Sequence, residues 1–235
     1  MLDNEKVKQI EDYYAKCERE GANEHQLEES QKAVAKMEAI IGDPDRLRAV
    51  AKDFIHHYET RVAEGATVAG KAMFVCMNRN IAYDLYKIIV EMRPQWSEKK
   101  ISDDETALTD KEKKELKPIE KIKLVMTRNK DDEPALYEML GTKDDRKEFD
   151  RQFKNPKSNF KIAIVVDMWL TGFDVPELDT IYIDKPIQQH TLIQTISRVN
   201  RVCEGKEKGL IVDYIGIKKN MNLALKKYTN FECDE

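Results

Sequence analysis

Short apolar runs and helix-like stretches take turns along the chain after residue 70. Five apolar runs follow one another there, and stretches of helical spacing lie between them near 80–92, 134–153 and 190–203. The runs lack strict alternation of apolar and polar residues, which is typical of strands that are covered on both faces. We therefore predict an α/β fold, with a doubly wound, mostly parallel sheet and helices on both of its faces. The predicted strands are 72–77, 122–126, 161–166, 180–183 and 209–214.

Helical periodicity dominates the chain before residue 64. Gly42 is a natural helix stop, and Asp43 and Pro44 then resemble an N-cap followed by proline at the first helical position. The segment 97–118 is nearly all polar and is predicted to be a solvated excursion. The predicted domains are a helical appendage or linker over 1–64, an α/β domain over 65–220, and a helical tail over 221–235 that leads to a downstream region.

Composition narrows the class of protein. Of the 235 residues, 41% are hydrophobic, which is enough for a buried core. No apolar run approaches the roughly 20 residues of a membrane span, and the N-terminus lacks the features of a secretory signal, so we expect a cytoplasmic protein. The four cysteines are widely spaced without a histidine cluster, which favours reduced thiols and no metal site. The net charge of -4 means that any contact with nucleic acid has to be local.

The segment 65–71 imitates a phosphate-binding P-loop. Its spacing is G-x-x-x-x-G-K, but Ala72 stands where a Ser or Thr hydroxyl would bind magnesium, and the segment precedes a strand instead of following one. We predict that it is not a P-loop, and the sequence offers no other. Asp167 and Asp213 end apolar strands as a Walker B aspartate would, but without a P-loop we interpret both as local caps.

Two arginines and a glutamine share one face of the last predicted helix. At about 100° per residue, Gln194, Arg198 and Arg201 lie together on that face. The opposite, apolar side consists of Leu192, Ile196, Val199 and Cys203. An ordinary amphipathic helix with a solvated basic face is one interpretation. The other is a pair of guanidinium groups presented to a phosphate chain, since guanidinium is permanently charged and binds phosphate through two N–H groups.

A strand runs into a polar turn just upstream of that helix. The turn contains Thr171, Gly172 and Asp174, and loops that follow the strands of open α/β sheets are where ligands bind. Gly172 permits close approach of the backbone to a phosphate or base, and Asp174 is able to accept hydrogen bonds from ribose hydroxyls. Taken alone, such a turn is more typical of a structural connection.

The turn and the helix together resemble motifs V and VI of superfamily 2 helicases. The residues that carry this likeness are T-G-F-D-V-P at 171–176 and Q-x-x-x-R-x-x-R at 194–201, while K-A-M-F-V-C-M-N-R at 71–79 is similar to the motif IV strand. Longer words resemble the restriction (R) subunit of type I restriction-modification enzymes, over roughly residues 45–230. They are VVDMWLTGFDVPELDTIYIDKP, HTLIQTISRVNR and GLIVDYIGI. The resemblance implies a RecA-like fold and the second of two motor domains.

The resemblance also implies roles for single residues. Arg198 and Arg201 match arginine fingers, and Gln194 matches a glutamine near the attacking water or the γ-phosphate. Thr171, Gly172 and Asp174 match the motif that couples the nucleotide to DNA. The candidates for contact with nucleic acid are Asn78, Arg79, Thr127, Arg128 and Thr171. For Thr127 and Arg128, an exposed pair at a strand end is an equally good interpretation.

The implied cofactors and partners lie mainly outside the chain. ATP and Mg²⁺ would bind mainly on the first RecA-like domain, and double-stranded DNA would run over both motor domains. Further implied partners are the nuclease domain of the same polypeptide and the modification and specificity subunits, in a prokaryotic cytoplasm and without a membrane. One departure concerns Val166, because many superfamily 2 members carry there a Ser or Thr that contacts a nucleic-acid phosphate.

Two other functions remain open from the sequence. The chain is predicted to be inactive alone, because Walker and nuclease motifs are absent, and a non-catalytic module that binds nucleic acid or protein would fit the same residues. A different superfamily 2 motor, such as a type III restriction subunit or an RNA helicase, would also carry similar motifs. The words DMWLTGFD and QTISRVNR favour the type I enzymes over that alternative.

Overall fold

The computed structural model describes residues 24–170, 172–187, 189–206 and 208–216. Five strands form one sheet in the order β2-β3-β1-β4-β5, and every pairing is parallel. The strands are β1 (Lys71–Cys76), β2 (Ile122–Val125), β3 (Ile162–Val165), β4 (Leu178–Asp184) and β5 (Leu210–Asp213). Each predicted strand is therefore confirmed within a few residues.

Helices connect and flank these strands. They are α1 (Glu24–Ile41), α2 (Pro44–Ala63), α3 (Arg79–Met92), α4 (Asp110–Glu115), α5 (Pro134–Met139), α6 (Lys143–Lys154) and α7 (Gln189–Val199). The helical stretch predicted near 134–153 is confirmed, and two helices occupy it. Gly141 adopts a φ of +64° between them, and Thr142 then starts α6 with a reciprocal capping box to Asp145.

Helices cover both faces of the sheet, as the sequence predicts. Phe74 of β1 packs edge-on against Phe54 of α2, with 5.3 Å between the ring centroids. Lys71 of the same strand lies over the ring of Phe153 in α6 at 5.1 Å. Because side chains alternate along a strand, residues 71 and 74 point to opposite faces. The predicted class, a doubly wound α/β fold with a parallel sheet, is thereby confirmed.

The helix α2 packs into the same core as the sheet. It starts as predicted, with the Asp43 carboxylate accepting a hydrogen bond from the backbone N–H of Arg46 at 3.0 Å. The Arg46 side chain then forms an ion pair with Asp184 at the end of β4, where the carboxylate is fully buried. The sequence placed this helix in an appendage, whereas the structure packs it on the sheet. The domain boundaries at 64 and 220 stay predictions, and the segments 1–23 and 217–235 lie outside the described residues.

The polar excursion 97–118 is tied to the domain at a few points. Lys100 and Ile119 form an antiparallel bridge, and Leu108 and Leu116 are buried. Most of the intervening residues are exposed, which agrees with the solvated segment that the composition predicts.

Candidate functional site

Lys71 occupies a position that a P-loop lysine could not use. It lies within β1 with 1% of its surface exposed, and its Nζ donates to the carbonyl of Phe160 at 2.5 Å. Burial holds the pKa of this amine well below its usual range. The structure thus agrees with the prediction that 65–71 is not a phosphate loop.

Both candidate arginines meet one turn of the chain. Nη1 of Arg198, in the last turn of α7, donates to the carbonyl of Phe173 at 2.6 Å. Nε of Arg201 lies 3.4 Å from Oδ1 of Asp174. Gln194 lies one helical turn before Arg198 and is partly buried. The convergence of Arg198 and Arg201 that the helical spacing suggested is therefore present, with the turn 172–174 at its centre.

Arg201 reaches this turn by a different route from the predicted one. The helix was expected to run to residue 203 but ends at Val199, so Arg201 follows the helix instead of extending its polar face. The returning chain packs against the helix end: a Cβ built at Gly209 would lie 2.2 Å from the Val199 carbonyl oxygen. The apolar side of the helix is confirmed, since Leu192, Ile196 and Val199 are buried.

The arginines differ in how tightly they are held. The side chains of Arg201 and Asp174 are 49% and 55% exposed, and such surface ion pairs contribute about 0–1 kcal/mol. Nε of Arg198 is buried and has no hydrogen-bond partner among the described residues, a situation that costs about 1–3 kcal/mol. Because the ion pair of Arg201 with Asp174 is exposed and weak, a ligand that accepts hydrogen bonds would displace it.

The turn itself leaves open space beside its backbone. Gly172 has a φ of +70°, and a Cβ at this position would meet no atom within 4 Å. The left-handed conformation, rather than crowding by neighbours, is what favours glycine here. Thr171, predicted to contact nucleic acid, lies outside the described residues.

Stacked aromatic rings pack beside the turn 172–174. The rings of Trp169 and Phe173 are parallel within 1°, with centroids 4.1 Å apart. Phe153 of α6 packs against both, at 5.2 Å and 6.0 Å. Trp169 is the one non-glycine residue with positive φ, +67°, among the described positions. The sequence pattern does not indicate these contacts, because the packing of Phe153 against both rings joins separate segments of the chain.

A lysine ties down the start of the same segment. Nζ of Lys185, just after β4, donates to the carbonyl of Val166 at 3.2 Å and forms an ion pair with Asp167. The Asp167 carboxylate bridges to a residue 18 positions away, and its interpretation as a local cap stays a prediction. Asp213 does act as a cap, accepting from the backbone N–H groups of Ile215 and Gly216.

The candidate nucleic-acid residues form a second group at the carboxyl ends of β1 and β2. Asn78 caps α3, its Oδ1 accepting from the N–H of Ile81 at 2.9 Å. Arg79 donates to the carbonyl of Thr127 at 2.7 Å and to both carboxylate oxygens of Asp132. The side chains of Asn78 and Arg79 thus have partners within the domain.

Arg128 is held differently from its neighbours. Its guanidinium lies over the ring of Tyr137, 4.4 Å from the centroid, and its Nε is a buried atom without a partner in the described part of the chain. Tyr137 is itself partly exposed. Neither Asp132 nor Tyr137 was predicted, because nothing in the local spacing marks a partner so far along the chain.

Membrane-spanning helices and metal-binding clusters are both lacking in the described segments. Among these residues, no helix is both long and apolar enough to cross a lipid bilayer. Within the same ranges, no group of three or more His, Cys, Asp or Glu side chains is arranged to hold a metal ion.

Comparison with known proteins gives one consistent family. The family described as type I restriction enzyme subunit R domain 3 matches residues 68–216. The chain is 37% identical over 206 residues to the type I restriction enzyme HindI endonuclease subunit of Haemophilus influenzae, covering 86% of this chain and 18% of that subunit. It is 49% identical over 72 residues to the SsaAORF53P endonuclease subunit of Staphylococcus saprophyticus, covering 30% of this chain and 8% of that subunit. A solved structure of T4 UvsW covers 86% of this chain and 30% of its own, with a TM-score of 0.44 and 12% identity.

The matched region contains both groups of candidate residues described above, from Asn78 to Arg201. The chain spans about a fifth of the length of the HindI subunit. The activity of a whole subunit is therefore not shown by this domain. The chain belongs to the family of type I restriction enzyme subunit R domain 3.

Proposed function

We propose that this chain is the second motor domain of an ATP-dependent DNA translocase, and that Arg198 and Arg201 act on ATP held by the preceding motor domain. The observation that carries the proposal is the meeting of both arginines at the turn 172–174. Two permanently charged groups side by side suit a nucleotide phosphate chain better than a lone surface charge does.

The guanidinium groups would stabilise charge on the transferred γ-phosphoryl group. Arginine fingers contribute about 10³–10⁵ in rate in nucleotide hydrolases. Arg201 is available for this role because its bond to Asp174 is exposed and weak. Gln194 would orient the attacking water, and Gly172 and Asp174 would lie against the nucleotide. Mg²⁺, when bound, neutralises charge on the phosphates, and we assign its ligands to the preceding domain.

Loss of the γ-phosphate would open the cleft between the two domains. The arginines bind the nucleotide state that carries this phosphate more tightly, so hydrolysis removes the differential contacts that favour closure. Repeated closure and opening would move the subunit along duplex DNA. In the complete enzyme, translocation would act together with the nuclease domain and with the modification and specificity subunits.

Thr127 and Arg128 are the proposed DNA contacts of this domain. They follow β2 at the carboxyl edge of the sheet, and Tyr137 holds the Arg128 guanidinium in one orientation. Arg79 and Asn78 would shape this edge instead of binding phosphate directly, since both side chains bond within the domain. Val166 would leave one phosphate contact of other superfamily 2 members unmade.

A non-catalytic binding module is the second candidate function. The internal partners of Asn78 and Arg79 and the net charge of -4 favour this alternative, because two candidate contacts are already engaged and no overall positive charge attracts DNA. The two candidates differ in whether the complete subunit hydrolyses ATP.

The test compares ATP hydrolysis by this chain with hydrolysis by the complete R subunit, each with and without duplex DNA. We expect no turnover by the chain alone and DNA-stimulated turnover by the subunit. Equal turnover by both proteins would place the whole ATPase site in this domain and contradict the proposal. An inert subunit would support the binding module.

A further inference from the structure

Trp169 has a backbone conformation that its own residue type disfavours. Its φ of +67° lies in the left-handed region, where a bulky L-residue is strained by about 1–3 kcal/mol. Such strain persists only where the surroundings fix the residue. Here the indole is 9% exposed and lies flat on Phe173, with Phe153 and Phe160 at its side.

Phe173 joins the aromatic stack to the arginine pair. Its ring lies on Trp169 at 4.1 Å, while its backbone carbonyl accepts the hydrogen bond of Arg198 at 2.6 Å. The next residue, Asp174, faces Arg201. Displacement of Phe173 from the stack would thus change the position of its carbonyl and of the neighbouring Asp174, the two groups that contact Arg198 and Arg201.

The segment is held at its start by a separate contact. Lys185 binds the Val166 carbonyl and Asp167, three and two residues before Trp169. Between this attachment and the arginines, the Trp169–Phe173 stack packs against Phe153, and Nζ of Lys154 lies 5.0 Å from the centroid of the Phe173 ring. The stack is thus the contact within this segment that ties the turn 172–174 to α6.

We propose that Trp169 and Phe173 are positioning residues for Arg198 and Arg201. This inference rests on the proposed function, since it concerns how the arginines are aimed at the nucleotide. Catalytic groups lose about a hundredfold in rate when displaced by roughly 1 Å. A loosened stack should consequently lower turnover while ATP binding, which is assigned mainly to the other domain, persists.

The test uses two substitutions in the complete R subunit. Trp169→Gly removes the ring but keeps the backbone conformation accessible, because glycine adopts positive φ without strain. Trp169→Phe keeps a ring that can stack. We expect kcat to fall roughly 10-fold to 100-fold in Trp169→Gly, with the KM for ATP changed less than about threefold, and to recover largely in Trp169→Phe. Amide hydrogen exchange in residues 166–176 should become faster in the glycine variant.

The other tryptophan of the chain supplies a matched control. Trp96 is also buried, with 4% of its surface exposed, but it packs against Phe54 and Tyr58, on the opposite side of the sheet. Trp96→Phe should alter the melting temperature without changing kcat. Phe173→Leu tests the same stack if Trp169→Gly fails to fold, because leucine keeps the burial and removes the stacking.

The outcomes separate the inference from the function on which it rests. Wild-type kcat in folded Trp169→Gly or Phe173→Leu, in a subunit that Arg198→Ala inactivates, would overturn the positioning role. Wild-type kcat in Arg198→Ala as well would refute the proposed function itself. Loss of turnover that Trp169→Phe does not restore would also overturn the stacking argument.

Discussion

A lysine in the core is the most unusual single residue of this domain. The amine of Lys71 bonds to the carbonyl of Phe160 and lies over the ring of Phe153, and Lys161 nearby raises the cost of its charge. Desolvation is the largest cause of its lowered pKa. The ammonium form is therefore less favourable in the folded state than in the unfolded one.

Replacing Lys71 with methionine should change how stability depends on pH. In the wild type the unfolded state binds more protons than the folded state between the lowered pKa and the ordinary value near 10.4, so stability falls as the pH drops through this window. Lys71→Met removes this dependence. The free energy of unfolding of the wild type should therefore rise relative to that of Lys71→Met as the pH approaches about 10. Chemical denaturation of both proteins between pH 7 and 10 measures the effect.

An exposed lysine provides the control for that comparison. Lys111 is 86% exposed in its side chain, so Lys111→Met should leave the pH dependence of stability as it is in the wild type. Parallel stability curves for Lys71→Met and the wild type would show that Lys71 keeps an ordinary pKa and would contradict the account.

At the scale of elements, the loop between β2 and α5 is held by charges of opposite sign. Arg79 binds the Thr127 carbonyl and the Asp132 carboxylate, and Asp132 also accepts from the backbone N–H of Asn129 at 2.6 Å. These contacts of Arg79 and Asp132 hold the loop that carries Arg128, whose guanidinium lies over the ring of Tyr137. Asp132, although acidic, thus stabilises the loop that we propose to bind DNA phosphate.

For Asp132→Ala, the loss of a negative charge and the loss of the loop contacts predict opposite changes in DNA binding. Removal of a negative charge would by itself tighten DNA binding. We expect weaker binding by the complete subunit, because the loop that places Arg128 loses its attachment. Arg128→Ala should weaken binding and lower the salt dependence of log Kd by about one unit of slope. Arg48 is an exposed arginine of α2, so Arg48→Ala is the control for the loss of a positive charge. Tighter DNA binding by Asp132→Ala would contradict the proposed role of Asp132 in holding the loop.

The sequence predicts elements best where local chemistry decides them. Asp43 and Pro44 mark the start of α2 because an N-cap and a first-turn proline act within one turn of helix. The break at Gly141 and the helix end at Val199 were missed. The first was missed although Gly141 and the Thr142–Asp145 capping box are local signals. The second depends on the return of Gly209 against the helix, which is not local.

At the scale of the whole molecule, contacts between distant parts of the chain determine what the sequence could not predict. The ion pair of Arg46 with Asp184 joins residues 138 positions apart, and it fixes the start of α2 at the carboxyl end of β4. Arg198 and Arg201 were found because their motif is local and resembles a known family. Lys185 and Trp169 lie within a word that also resembles that family, but the sequence does not indicate what their side chains contact.

The central claim is that this domain supplies arginines to a nucleotide bound elsewhere. Its most direct test is the turnover number of the complete R subunit carrying Arg198→Ala, together with the Kd for ATP measured on the same protein. The account predicts that kcat falls by about 10³–10⁵ while ATP still binds with a Kd within roughly tenfold of the wild type. Turnover close to that of the wild type, or loss of ATP binding as the sole defect, would contradict it.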